Sequence, residues 1–287
     1  MRNEHQSDAQ AFILCGLFKY MHKHKQTQRN MYLTDLTDAQ KEYIKGTILM
    51  DNWRSKYDFF LILDAIIFID VSGCQWRLLP KEYPKWQTVY YYFRRWGAMD
   101  AFAEIEDSLV EAVRLRRGES PQPTIGAIDS ESSRSALPRS QKGIDGNKKV
   151  KGVKRNIITD KDGDILEAST TPANIHDSKS AYALLAMLVV AFPWIKRIYA
   201  DRGYRGNLIE KARHDFEIDV EITHSNYSGQ FVPAKKRWVV ERTFAWLENF
   251  RRLCRNYEET TESANEMLMI AAVVITLRKL TSVNNRF

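Results

Sequence analysis

The chain has 287 residues, 44% of them hydrophobic and 11% aromatic, so it can bury one or two cores and is not a disordered polymer. Its 43 Lys and Arg against 36 Asp and Glu leave a net charge of +7, which suits a polyanionic partner without specifying one. The cysteines Cys15, Cys74 and Cys254 are scattered and form no C-x-x-C pair, which excludes a disulfide scaffold and speaks against structural zinc.

Residues 1–30 differ from the rest. The basic run Lys19 to Arg29 follows the apolar run Ala11 to Phe18, the reverse of a signal peptide. The expectation is a poorly ordered extension with Met31 a candidate start; a short helix packed on the body is the alternative. From Leu33 the pattern is helical, with Thr37 the expected N-cap. Tyr57, Phe60, Leu61, Asp64, Ile67, Phe68 and Val71 recur at three and four, and Ser72-Gly73 ends that helix. Its apolar run, Leu61 to Val71, is about half a membrane span and holds Asp64 and Asp70, so it reads as a core helix and no membrane partner is expected. A second helix starts near Lys85, with Trp86, Val89, Tyr90, Phe93 and Trp96 on one face. A third covers about Ala101 to Arg116. Residues 31–117 are thus expected to form a small all-helical domain, and 118–123 (Gly-Glu-Ser-Pro-Gln-Pro) a linker.

Residues 124–287 change texture. Strands are expected at 124–128, 150–159, 164–171, 197–200 and 219–223, the second and third joined by the hairpin turn Asp160-Lys161-Asp162-Gly163. Helices are expected at 176–190, 206–214, 235–256 and 263–280. Strands in hairpins followed by alternation with helices imply a mixed sheet with helices on its faces, an α/β fold.

Asp129 and Asp201 each follow an apolar strand, and ligand sites in α/β sheets collect at strand ends. A helix cap or a turn accounts for either one equally well. Glu241 lies opposite the apolar stripe of its helix, where an ordinary solvated face is the simpler reading. Together they say more. Converging carboxylates repel unless a proton or a cation joins them, and hard oxygen ligands favour Mg2+ or Mn2+. Two such ions can activate an attacking oxygen and stabilise a leaving one in phosphoryl transfer.

Several segments resemble bacterial insertion-sequence transposases. They are Leu33–Gln40, Ser72–Pro80, Trp86–Tyr90 with Phe93–Trp96, Ile128-Asp129-Ser130, Lys148–Arg155, Ala173–Asp177, Ala200–Tyr204 and Arg237–Leu247. In order, from about Tyr32 to Leu280, the chain is similar to the insertion-sequence-five group of DDE transposases. The resemblance implies an RNase H-like catalytic domain preceded by the helical domain. Asp129, Asp201 and Glu241 would be the catalytic carboxylates holding two Mg2+ ions, with Mn2+ a substitute. It further implies double-stranded DNA as partner, both element ends and target, hydrolysis at the element end and attack of the freed 3′-hydroxyl on target DNA. Pairing of ends implies a homodimer or larger assembly, located in the cytoplasm at the nucleoid. Arg237 matches an Arg four residues before the glutamate. Ala234 and Glu248 stand where relatives often have Tyr and Lys, so phosphate contact shifts to neighbours such as Arg251 and Arg252. Glu131 replaces an expected Gln, and either joins the metal site or faces solvent; His176 and Asp177 match a motif without an assigned role.

A helix-turn-helix-like reading turns Lys85, Gln87, Thr88, Tyr91 and Arg95 toward DNA. The run Arg134 to Lys161 has nine basic residues against two acidic ones; Lys148, Lys149, Lys151, Lys154 and Arg155 are expected on phosphates, a plain solvated face being the alternative. A strand from Val150 would place Lys149 and Lys151 on one face. A repurposed transposase that binds DNA without cutting, or a nuclease without strand transfer, are the rival functions.

Overall fold

The structure is a computed structural model that describes residues 32–45, 53, 55–223 and 238–281. The expected extension 1–30 and Arg237 lie outside the described residues. The chain divides into Met1–Leu33 and Thr34–Phe287, and the second unit carries every element below.

The N-terminal helices form where caps and periodicity place them. Helix α1 (Asp38–Ile44) opens on Thr37 in a capping box: Thr37 Oγ1 accepts from the Gln40 amide, and Gln40 Oε1 accepts from the Thr37 amide at 2.9 Å. Helix α2 (Phe59–Ser72) opens on Asp58 and ends at Gly73, whose φ of 68° closes it in a left-handed cap. Being apolar on every side, it is buried on nearly every side. Even Asp64 is enclosed, its carboxylate accepting from the Leu36 amide at 2.8 Å. A 3-10 turn (Trp76–Leu78) leads to α3 (Trp86–Gly97), which buries Val89, Phe93 and Trp96 and leaves Tyr90 at its rim. Helix α4 (Ala101–Arg116) follows.

The sheet has six strands: β1 (Ile125–Arg134), β2 (Gly143–Ile144), β3 (Lys151–Thr159), β4 (Ile165–Pro172), β5 (Arg197–Ala200) and β6 (Asp219–Ile222). β3 pairs antiparallel with β1 on one edge and with β2 and β4 on the other. β5 and β6 add on parallel to β1. Three antiparallel strands, a helix, then two parallel strands beside the first make the RNase H-like sheet that the resemblance implies. The crossover helices are α5 (Asp177–Ala191) and α6 (Asn207–Phe216). Their Leu184, Leu185, Leu188, Leu208 and Ala212 bury against Ile128, Ile158 and Ile198. Each such fully buried large side chain contributes roughly 1.5–3 kcal/mol.

Two expectations need correction. β1 runs six residues beyond the apolar Ile128, because the polar stretch to Arg134 pairs register for register with Gly152–Ile158. The helix expected at 235–256 is described only as α7 (Trp238–Leu247). Beyond it the amides of Arg251 and Arg252 donate to the carbonyls of Val71 and Asp70 at the end of α2, at 3.3 and 3.0 Å, instead of continuing a helix. The last helix, α8 (Thr261–Thr281), is buried almost all round and packs on α1, α2, α3, α4 and β4. The stretch 118–123 therefore joins two parts of one compact unit. Among the described residues no helix is long and apolar enough to cross a membrane.

Candidate active site

β1 and β5 lie side by side, parallel, in the register Ala127↔Tyr199. Two residues further along each chain stand Asp129, still within β1, and Asp201, just past the end of β5, so the parallel pairing sets both on neighbouring strands at the same side of the sheet. Backbone amides orient both carboxylates. Asp129 Oδ1 accepts from the Ser130 amide at 2.7 Å, and Asp201 Oδ1 from the Gly203 amide at 2.7 Å as the chain turns into a 3-10 segment (Arg202–Tyr204).

Asp177, at the start of α5, joins them. Its Oδ1 accepts from Ser130 Oγ at 2.9 Å and from Lys154 Nζ at 2.8 Å. Gly203 leaves room here: a Cβ on it would lie 3.0 Å from Asp201 Oδ1 and 3.5 Å from Asp177 Oδ2. Tyr204, 1% exposed, has its hydroxyl bonded to Ser130, beside these carboxylates. Burial, and then the charges of Asp129, Asp177 and Asp201, push its phenol well above the ordinary value. One buried oxygen thus senses three carboxylates. Sequence reasoning placed Asp177 on a matching motif but missed its role; the available signal was its position just after a strand and at a helix start. His176 beside it is the cap of α5, accepting from the Ser178 amide.

Glu241 lies in the first turn of α7, exposed, on a helix that packs against β1 and β3. Asp129, Asp201 and Glu241 do not make a group of three whose oxygens all lie within 4.8 Å of one another. Among the described residues, the three acidic side chains whose oxygens lie within 4.8 Å of one another are Glu119, Asp160 and Asp162. That group is a structural ion-pair cluster, neutralised by Arg114 and Lys161. Glu131 neither faces open solvent nor joins the aspartates: half-buried, it pairs across the sheet with Arg155. Burial raises its carboxyl above the ordinary value, Arg155 lowers it and Glu248 raises it again.

The basic residues separate into two sets. Lys148, Lys149 and Lys151 are exposed around the tip of the β2–β3 hairpin, and Lys148 Nζ donates to the Ser130 carbonyl at 3.3 Å, next to Asp129. Lys149 is not on the strand; it occupies the turn with φ of 54°, so it does not share a strand face with Lys151. Lys154 and Arg155, expected on phosphates, are 6% and 5% exposed and held internally, Lys154 by Asp177 and Arg155 by the Leu253 carbonyl. Arg252 is likewise buried, bonded to Glu258 and to the Cys74 carbonyl. A charge run in sequence cannot reveal partners brought by distant segments. Arg251 is exposed, as are Lys85, Gln87, Tyr91 and Arg95 on α3, with Thr88 half-exposed.

Asp129 and Asp201, each with one oxygen fixed by a backbone amide, offer only oxygen donors, the chemistry that suits a hard divalent cation; with neither Asp177 nor Glu241 do they make a group of three whose oxygens lie within 4.8 Å of one another. The family described as "Transposase DDE domain" matches residues 120–277, and "Putative transposase of IS4/5 family" matches residues 36–106. A curated relative, "Putative transposase for insertion sequence element IS402" from Burkholderia cepacia, is 34% identical over 142 residues, 45% of this chain. The match spans 65% of that relative's length, just under two thirds. Among solved structures, the catalytic domain of Mos1 mariner transposase aligns at TM-score 0.33 and 14% identity, over 63% of this chain and 88% of its own. The catalytic core domain of BIV integrase aligns at TM-score 0.33 and 13% identity, over 57% and 86%. With more than half of its length matched by the catalytic-domain family, the chain belongs to the DDE transposases.

Proposed function

We propose that this chain is a DNA transposase that binds the inverted-repeat ends of an insertion sequence, hydrolyses the phosphodiester at each end and transfers the freed strand into target DNA. The observation that carries the reading is the parallel pairing of β1 with β5, which sets Asp129 and Asp201 on neighbouring strands, each with a carboxylate oxygen held by a backbone amide. Family membership implies a divalent metal; two Mg2+ ions, replaceable by Mn2+, would be held by Asp129, Asp201 and Glu241. Bound there, the metal supplies charge neutralisation at the phosphorus and activation of the attacking oxygen.

The chain's own residues position the substrate. Lys148, Lys149, Lys151 and Arg251 offer charge to the phosphates, while Lys85, Gln87, Thr88, Tyr91 and Arg95 present one exposed helix face for a groove. Glu241, the third carboxylate of this reading, stands in the first turn of α7, and end pairing requires at least a homodimer. The experiment is cleavage and gel-shift with element-end DNA on Asp129→Ala, Asp201→Ala and Glu241→Ala. Each should lose cleavage by at least 100-fold and keep end binding within a few-fold. That Asp129, Asp201 and Glu241 do not lie within 4.8 Å of one another as a group of three favours a second reading, a DNA-binding protein that no longer cuts. Parent protein that shifts end DNA without cleaving it in Mg2+ or Mn2+ would establish that one instead.

A further inference from the structure

The structure contains a buried lysine next to the candidate site that serves no exposed surface. Lys154 reaches from β3 to Asp177 Oδ1 at 2.8 Å and to the Ile175 carbonyl at 3.2 Å. A second carboxylate, Asp145, lies 3.8 Å away, but it is occupied by the Ser132 hydroxyl at 2.6 Å and the amides of Asn147 and Lys148. The ammonium is thus committed chiefly to Asp177. Asp177 in turn receives the Ser130 hydroxyl, and the amide of that same Ser130 holds Asp129 Oδ1 at 2.7 Å. A continuous chain of charge-assisted contacts runs from Lys154 through Asp177 and Ser130 to Asp129.

We propose that Lys154, Asp177 and Ser130 form a positioning relay that fixes the Asp129 carboxylate for a divalent cation; this rests on the reading of Asp129 and Asp201 as metal-binding. One further observation bears on this site: the Tyr204 hydroxyl is buried, its surroundings include the charges of Asp129, Asp177 and Asp201, and Ser130 is the side chain it bonds. The relay does not coordinate; it holds the ligand's rotamer and keeps the site from collapsing onto its own repulsion. Partners that orient metal ligands typically cost 10–100-fold in affinity when removed.

The test is calorimetric titration of Mn2+ into the full chain without DNA, with a thermal melt of each variant. Asp177→Asn and Ser130→Ala should each weaken Mn2+ binding by about 10–100-fold. Ser130→Thr, which keeps the hydroxyl, should bind as the parent, and Asp129→Ala should lose binding. Ser130→Ala removes only one oxygen, so it gives the answer even where Asp177→Asn fails to fold. Parental affinity in Asp177→Asn or Ser130→Ala, with binding lost in Asp129→Ala, overturns the relay and leaves Asp129 as a ligand. Parental affinity in Asp129→Ala overturns the metal site itself and the relay with it. A lowered melting temperature with unchanged Mn2+ affinity marks the three as ordinary structural contacts.

Discussion

Replacing Lys148, Lys149 and Lys151 together removes the exposed charge at the β2–β3 hairpin tip while leaving the buried Lys154 and Arg155 in place. Each phosphate contact adds about 0.9 to the slope of log affinity against log salt, so three contacts flatten the slope by roughly two to three units. Over a fourfold rise in salt, from about 50 to about 200 mM, the parent should lose about 40-fold more affinity than the triple Ala variant. The loss should be alike on element-end and random DNA, because phosphates carry no sequence. Lys149 complicates the variant, since its φ of 54° strains any residue with a Cβ. A Lys149→Gly control relieves that strain and should stabilise the hairpin while still removing its charge. The assay is fluorescence anisotropy across a salt series. A triple variant with the parent's slope would falsify phosphate contact by the hairpin, and so would an equal flattening produced by Lys154→Met.

Four further outcomes follow from the fold. Thr37→Ala breaks the capping box and should cost about 0.5–2 kcal/mol in denaturant unfolding. Arg114→Ala leaves Asp160, whose side chain is 0% exposed, without its Arg114 partner and should cost about 3–5 kcal/mol in denaturant unfolding. Gly73→Ala forces a Cβ into left-handed backbone, 2.9 Å from Arg251 Cβ, and should lower the melting temperature by more than an exposed Gly→Ala change such as Gly146→Ala does. Burial raises Glu106 to about 8, against opposing contributions from Thr276 and Lys279. A carboxyl raised in the fold binds more protons folded than unfolded, so stability falls as pH rises from about 4.5 toward 8, by at most about 1.4 kcal/mol per unit. Glu106→Gln should flatten melting temperature against pH across that window; an unchanged profile would refute the assignment.

The elements legible in sequence were those whose cause is local. Thr37 with Gln40 spells a capping box, Gly73 ends a helix, and Asp160–Gly163 spells a hairpin turn with Gly163 at φ of 81°. The two aspartates were legible because each follows an apolar run, although the strand itself continues past Asp129. What escaped depended on distant partners. Ser130 to Arg134 is polar and reads as loop, yet pairing with β3 makes it strand. Arg251 and Arg252 continue a helical pattern, yet the carbonyls at the end of α2 take their amides. Lys154 and Arg155 look like surface charge until Asp177 and the Leu253 carbonyl arrive from elsewhere in the chain.

Helix α8 also sets a timetable for the nascent chain. Its Met267, Leu268, Ala271, Val274 and Leu277 are fully or nearly fully buried, and it packs on α1, α2 and α4, which end 217, 189 and 145 residues before it begins. Until α8 emerges, those early helices have an open apolar seam and no means of closing it. Pairing across so much sequence is slow to nucleate and exposes sticky surface meanwhile. A polypeptide stopped before residue 261 would therefore present that seam to chaperones or proteases, and the helical part of the fold closes only in a molecule whose translation has run past α8.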